Sequence, residues 1–350
     1  MKFYRKIKLY QKFKHWNDVV KDFIKSFPRS FFVLLSKKKD YIYIAIRPQA
    51  GLGDMLRQKS ILYEILKLSD KVVFDIYNKK SYQIYKDVPN VRFFMNIAAL
   101  DITKKRHDIV FNMLPSDEPI IINNDELSLS KQIIKNINEN FKRRKSTLSF
   151  LDEQKIACGL GKLGDDTLYI TVKNCNLNRF SIAKDTKFVT FQYGWGAINK
   201  KQDSVHIKAW SINKWGKMLA LLKKYTKDKF KIVQVGKNSY HFPEADIDTV
   251  DKTSFDELVY IISKSSLHID CDCLCVHIAK AVNTKSLVLW GPTEMEKIMY
   301  EENINICANV CQPCYDLTNN WFECPRNREC MDSIKPDYVA QKAIEYLKTI

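Results

Sequence analysis

Four short stretches of this chain, each directly after an apolar run, carry residues able to do chemistry. In Gly51-Leu52-Gly53-Asp54, a carboxylate stands between an apolar run ending at Arg47-Pro48 and a helical pattern. An aspartate there can cap the helix. It can also take the proton of a hydroxyl brought to the loop, as a general base does, and the glycines Gly51 and Gly53 leave room for that approach. The stretch is not a phosphate-cradling P-loop, since no Gly-Lys-Ser/Thr follows. Nor is it a dinucleotide fingerprint, because Arg57 and Gln58 occupy the later glycine positions.

The second stretch, HIDCDCLCVHIAKAV at 268–282, sets Asp270 and Asp272 after a short apolar run and His277 on the following helix. An aspartate before a helix can bind sugar or base hydroxyls, and the free N–H groups of the helix start attract anions. In the third, LVLWGPTE at 287–294, Gly291-Pro292-Thr293 makes a tight turn and Thr293 offers a hydroxyl to a phosphate. In the fourth, residues 192–215, Gly194 follows an apolar run and a basic loop brings Lys208 and Trp210, the lysine being suited to neutralise a phosphate. Each has a plainer reading: a cap, a turn aspartate with a packed histidine, a strand-ending turn, one solvated lysine among many.

Late in the chain, Cys311-Gln312-Pro313-Cys314 has the two-residue spacing that lets both sulfurs meet one ion, and Cys324 and Cys330 follow. Four thiolates are a tetrahedral ligand set for zinc or iron. Disulfides or free thiols are the alternatives, and Cys307 is a competing ligand. A metal here is expected to be structural and far from the catalytic residues.

These residues need a scaffold that presents strand ends. The apolar runs Tyr41–Ile46, Lys71–Tyr77, Val91–Phe94 and His107–Asn112 read as strands, with a helix over Met55–Leu68. A helix is also expected near 129–144. The rhythm repeats with strands at Phe188–Tyr193, Phe230–Val235, Leu267–Asp270 and Ser286–Trp290. Helices are expected over Ile212–Tyr225, Ser254–Lys264 and Val276–Val282, with a last one near 337–348. Such alternation makes parallel sheets covered by helices, and ligands then bind at the carboxyl ends of the strands. A chain of 350 residues calls for two domains, here placed at 41–182 and 183–350, the second including a Cys-rich loop at 307–330.

Residues 1–40 form a separate extension. Phe3, Ile7, Tyr10, Phe13, Trp16, Val20, Phe23 and Phe27 recur at helical spacing, and Pro28 should end the helix. This segment holds twelve Lys and Arg against three Asp, about half of the net +17. A basic amphipathic helix with aromatic residues on its apolar face suits an anionic membrane surface; packing on its own domain is the alternative. No apolar run approaches the ~20 residues of a membrane span, and lysines interrupt any signal-peptide core, so a reducing compartment is expected. The charge calls for an acidic partner, but no recognised nucleic-acid-binding module accompanies it, and no specific nucleic-acid partner is expected.

Taken in order, the motifs resemble glycosyltransferase family 9, the heptosyltransferase family. The resemblance rests on Gly53-Asp54 after the first strand and on Lys208-Ala209-Trp210 after the first strand of the second domain. It extends to the ends and spacing of Asp272-Cys273-Leu274-Cys275-Val276-His277, to Trp290-Gly291-Pro292-Thr293 and to the late Cys330-Met331. Leu274 departs from the glycine of the motif. The resemblance implies a GT-B fold, two Rossmann-like domains facing a central cleft. It implies an inverting transfer from a nucleotide-diphosphate sugar, ADP-heptose being the leading precedent, without a catalytic metal. Asp54 would be the base on the acceptor side and Lys208 would act at the phosphates. Gly194, Asp272, His277, Gly291 and Thr293 would hold the donor. A lipid-linked or cell-surface glycan such as lipopolysaccharide core would be the acceptor. The expected location is cytoplasmic, peripheral on the inner face of the cytoplasmic membrane. The rival activities are a nucleotide-sugar epimerase, a fucosyltransferase, a nucleic-acid-binding protein and a scaffold without catalysis.

Overall fold

The computed structural model describes residues 41–48, 51–94, 107–113, 120–121, 149–158, 160, 164, 166–194, 206–227, 229–308, 310–311, 314 and 324–350. The expected helices at 1–30 and near 129–144 lie outside these residues. The chain divides into two compact units, residues 1–165 and 166–350.

In the first unit the order is β1 (Ile42–Arg47), α1 (Leu52–Leu68), β2 (Val72–Ile76), α2 (Tyr82–Tyr85), β3 (Val91–Phe94), β4 (Ile109–Asn112), β5 (Ile120–Ile121) and α3 (Phe150–Ala157). The sheet order is β3-β2-β1-β4-β5. All pairings are parallel except β4 with the two-residue β5, which runs antiparallel at the edge. β1 and β2 are buried almost throughout, as strands covered on both faces must be, and this is why they read as unbroken apolar runs. The order reverses at β1: β2 lies on one side and β4 on the other. A crevice opens at the carboxyl ends of strands where such a reversal occurs, and the chain leaves β1 there into the Gly51–Asp54 turn.

The second unit contains β6 (Phe188–Gln192), α4 (Ile212–Thr226), β7 (Lys231–Val235), β8 (Ile247–Asp248), α5 (Phe255–Lys264), β9 (Leu267–Cys271), α6 (Leu274–Ala281), β10 (Ser286–Trp290), β11 (Ile304–Cys307), α7 (Glu329–Ser333) and α8 (Pro336–Leu347). Its sheet is fully parallel, in the order β11-β10-β9-β6-β7-β8. One face is covered by α4 and α8, through Trp215, Met218, Leu219 and Leu222 on one and Val339, Ala340, Ala343 and Leu347 on the other. The opposite face carries a second cluster in which Leu177, Phe180 and Ile182 pack with Val233, Val235 and Ile261. That packing explains why the units divide at 165/166, whereas the boundary read from the sequence was 182/183. Residues 166–182 have no strand of their own to announce their allegiance, but their apolar side chains are buried on this sheet. α5 starts with a reciprocal cap, Ser254 Oγ accepting from Glu257 N–H and the Glu257 carboxylate accepting from Ser254 N–H at 2.8 Å.

Candidate functional site

In the second unit the order reverses between β6 and β9, and three of the four stretches converge there. Gly194 follows β6 with φ +98°, a left-handed conformation that side chains disfavour. Asp272 follows β9 directly, and Gly291–Thr293 follows β10. The loop after β6 brings back Lys208. It is anchored two residues later by Trp210, which is fully buried, edge-on to Trp215 at 5.5 Å, and donates from Nε1 to Ile334 O. Lys208 Nζ lies 2.5 Å from Asp272 Oδ2, and Thr293 Oγ1 donates to the same oxygen at 2.8 Å. A lysine and a threonine from separate strand ends therefore meet on one carboxylate.

That carboxylate is buried. Burial, the largest influence, pushes the Asp272 carboxyl up. The Lys208 ammonium, His277 and the hydrogen bonds from Lys208 and Thr293 together outweigh it and hold the group below its ordinary value. His277, on the first turns of α6, is also buried; its Nδ1 is 2.7 Å from the hydroxyl of Tyr300, and the rings meet edge to face at 5.7 Å. Tyr300 was not singled out from sequence, since nothing local pairs it with a histidine on another element. Gly291 has a packing reason: a Cβ there would lie 2.5 Å from the buried Met331 Sδ.

His206 is a second residue that the motifs did not mark, although it stands two residues before Lys208. Its Nδ1 accepts from the Lys208 backbone N–H at 3.2 Å, which places the neutral ring's proton on Nε2. Burial, then the Lys208 ammonium, lower it to about 4, against a smaller upward pull from Asp272. Near neutral pH it is an uncharged donor beside the lysine. An unfolded histidine titrates near 6.5. From about pH 6.5 down to about 4 the unfolded chain therefore binds a proton that the folded chain refuses, and stability falls with decreasing pH by roughly 3 kcal/mol across that window. Thermal unfolding between pH 4 and 7 checks this: His206→Gln is expected to flatten the slope there, and an unchanged slope would show that His206 titrates normally.

Asp270 and Asp272, which form an Asp-x-Asp string, turn to different partners. Asp270 turns to His268 Nε2 at 3.2 Å and Cys273 Sγ at 2.7 Å, whereas Asp272 holds Lys208 and Thr293.

The late cysteines do not stand apart from this region. Cys314 N–H donates to Pro292 O at 3.0 Å, and Arg328, whose N–H is bonded to Cys324 Sγ, donates from Nη1 to Ala209 O at 3.2 Å. The cysteine segment is tied to both the Gly-Pro-Thr turn and the Lys-x-Trp loop, which corrects the expectation that it lies far from the candidate catalytic residues. Its thiols also affect one another. Burial and then Cys311 push Cys330 up to about 12, with Cys314 contributing, and Cys314 is raised by burial, Cys324 and Cys311. Cys311, Cys314, Cys324 and Cys330 thus lie within electrostatic reach of one another, though no three of their sulfurs form a group within 4.8 Å of one another.

In the first unit, Gly51 N–H donates to Asp54 Oδ2 at 3.1 Å. Asp54 is therefore a helix-capping carboxylate, with its side chain half-buried at the turn. Gly51 is exposed and Gly53 buried in the same turn. Buried nearby along the chain, Arg57 Nε and Gln58 Oε1 have no hydrogen-bond partner among the described residues, and the Tyr85 hydroxyl, close enough to sense the Asp54 charge, has none either.

Two α/β units built on largely parallel sheets, with their loops at the points of strand reversal, have the architecture of the GT-B fold. Residues 198–321 match the family model of glycosyltransferase family 9 (heptosyltransferase), so the resemblance carried by the motifs holds over this segment and the chain is heptosyltransferase-like. No curated protein sequence matches. Among solved structures, the chain resembles the bacterial iron-containing dodecameric glycosyltransferase TibC from enterotoxigenic E. coli H10407, with 15% identity, a TM-score of 0.61, and 89% of this chain and 78% of TibC covered. A second TibC structure, an iron-containing heptosyltransferase in complex with ADP-D-beta-D-heptose, matches at 14% identity with the same TM-score and coverage. E. coli ADP-heptose lps heptosyltransferase II matches at 13% identity and a TM-score of 0.56, over 88% of this chain and 99% of the enzyme. At such identities the likeness is one of fold.

Proposed function

We propose that the protein transfers a sugar, heptose in the favoured case, from a nucleotide-diphosphate donor to a glycan acceptor, with inversion at the anomeric carbon. The observation that carries this reading is the meeting of Lys208 and Thr293 on Asp272 at the strand reversal of the second unit, inside the family-matched segment. The donor's diphosphate is a dianionic leaving group. Lys208 supplies positive charge to the phosphates as that charge develops, and Thr293 turns its one hydroxyl proton from Asp272 to them. Asp272 orients both groups beforehand. His277, held by Tyr300, and Gly194 and Gly291 complete the donor side. On the acceptor side Asp54 accepts the proton of the attacking hydroxyl. In this scheme the departing charge is met by side chains and helix N–H groups, without a catalytic metal.

By residue type and spacing, the four late cysteines are a thiolate set for a structural ion. Cys311, Cys314, Cys324 and Cys330 would hold it, and zinc or iron would supply a cross-link bracing the Gly-Pro-Thr turn and the Lys-x-Trp loop. TibC, the iron-containing glycosyltransferase of similar fold, gives iron a precedent.

Thermal shift with a panel of nucleotide sugars tests the donor. A bound donor at 100 times its Kd is expected to add about 2.7 kcal/mol to stability, with ADP-heptose shifting the transition most. No shift with any nucleotide sugar would overturn the reading.

The acceptor reading is a lipid-linked or cell-surface glycan such as lipopolysaccharide core, reached from the cytoplasmic face of the membrane. It rests on the basic amphipathic pattern of residues 1–30. Deleting them is expected to release the protein from anionic vesicles while leaving activity on a soluble acceptor analogue. Vesicle binding that survives the deletion would sink the membrane role.

A further inference from the structure

Behind the Asp272 motif, on β9 and the start of α6, lies a buried polar cluster that the proposed transfer does not use. His268 and Asp270 are two residues apart on β9 and share one face of the strand. Cys273 and Cys275 follow in the turn and first helical residues. His268, Asp270 and Cys275 are at most 2% exposed; Cys273 is half-buried. One ligand atom from each of His268, Asp270 and Cys275 lies within 4.8 Å of the others, and Cys273 Sγ is 2.7 Å from Asp270 Oδ2.

The hydrogen bonds around the cluster set the tautomer of His268. Ser265 Oγ donates to Leu267 O at 2.7 Å, and Thr190 Oγ1 donates to Ser265 Oγ at 2.9 Å. The Thr190 hydroxyl proton is therefore committed, and its oxygen can only accept from His268 Nδ1, 3.0 Å away. With Nδ1 protonated, a neutral His268 turns the lone pair of Nε2 toward Asp270 Oδ2 at 3.2 Å. Two acceptors then face each other in the protein interior, and a cation, either a proton shared by the pair or a metal ion, must lie between them. The other carboxylate oxygen is fixed by Cys271 N–H at 2.7 Å. Gln192 is fixed too: its amide donates to Gly194 O at 2.6 Å and its Oε1 accepts from the Cys275 thiol at 2.6 Å, a proton that metal binding would displace.

We propose that His268 Nε2, Asp270 Oδ2, Cys273 Sγ and Cys275 Sγ form a binding site for one divalent ion of the zinc type. Imidazole, carboxylate and two thiolates make a four-membered ligand set for Zn²⁺. An imidazole whose far N–H is held by Thr190 has the outer support that metal-bound histidines require. Ligand atoms around a tetrahedral zinc sit about 3.3–3.8 Å apart, given Zn–N near 2.0 Å and Zn–S near 2.3 Å. His268 Nε2 and Asp270 Oδ2, 3.2 Å apart, already have about that spacing, and the sulfurs close onto the ion, which enters past the half-buried Cys273. Binding takes Zn²⁺ from water, forms four bonds to it and releases the two thiol protons to solvent. The ion would staple the end of β9 to the start of α6, on either side of Asp272, and so set where the Lys208–Asp272–Thr293 group sits.

The test is zinc stoichiometry and proton release on the full chain, stripped of metal under reducing conditions and titrated with Zn²⁺. Whatever the four late cysteines bind, Cys273→Ala/Cys275→Ala is expected to bind one equivalent fewer than the unaltered chain, with about two fewer protons released. Co²⁺ in place of zinc is expected to give a thiolate charge-transfer band that this variant loses in part. Thr190→Val keeps all four ligands and removes only the acceptor at Nδ1; it is expected to weaken zinc at this site about 10–100-fold. Equal stoichiometry in the unaltered chain and a folded double-cysteine variant would overturn the site. Should that variant fail to fold, Thr190→Val decides: unchanged zinc affinity leaves His268 outside any metal site and overturns the proposal. None of these readouts depends on donor binding or turnover, so failure here is distinguishable from failure of the proposed transfer.

Discussion

Asp54→Asn is expected to lower turnover by about 10²–10⁴-fold while leaving donor affinity near that of the unaltered enzyme, the usual cost of losing a general base. The substitution is informative because Asp54 has a second duty. Its Oδ2 accepts from Gly51 N–H and closes the first turn of α1. Asparagine keeps an oxygen at the N3 position for that bond back to Gly51 N–H, so the helix start survives while the basicity is lost. Single-turnover measurement with donor and acceptor separates the two duties. A variant retaining more than about a third of the turnover, with chemistry rate-limiting, would leave Asp54 a capping residue only.

Lys208→Ala is expected to be the most damaging change in the second unit, for two separable reasons. The side chains of Lys208 and Asp272 are only 15% and 7% exposed. Removing the ammonium strands a buried carboxylate, at a cost of about 3–5 kcal/mol in stability. The depressed pKa of Asp272 sets the sign of the pH dependence. Its stabilising contribution is complete above the unfolded aspartate value of about 4 and is lost as pH falls through the folded value. Adding Asp272→Asn to Lys208→Ala should recover much of the lost stability, because no unpaired charge then remains; denaturant unfolding of the four proteins measures that coupling. The catalytic loss should not recover. Removing one preorganised charge aimed at a developing anion costs about 10²–10³ in rate, and the double variant still lacks it. Rescue of both stability and turnover in the double variant would assign Lys208 a purely structural role.

Much of the scaffold could be read from periodicity. β1, β2, β6, β9 and β10 are buried on both faces, and their apolar runs ended within a residue or two of the observed strands. α4 and α8 bury one stripe each against the same sheet, so their helical spacing was plain. The short elements escaped notice for a common reason. β5 and β8 have two residues each and β11 has four, partly buried. Segments that brief have no period, and only a neighbouring strand makes them strands. α3 was missed as well, set in a polar region with a weak apolar pattern. Within the site, residues that follow a strand were legible because glycine, proline and aspartate punctuate strand ends. His206 and Tyr300 were not, since what marks them is a partner from elsewhere.

Two kinds of information therefore separate. The sequence alone determined the alternation of strand and helix, the loops that follow β1, β6, β9 and β10, and the residue types placed in them. These depend on short-range sterics and on which faces must be dry. Only the tertiary structure decided that β9 lies beside β6 rather than at an edge, which brings Lys208 onto Asp272 across 64 residues of chain. It likewise decided that Asp270 faces His268 and Cys273 while Asp272 faces the lysine, and that the late cysteines brace the loops carrying Pro292 and Ala209. Sheet order and hydrogen-bond partners are set by long-range packing, to which a local pattern of residues is blind.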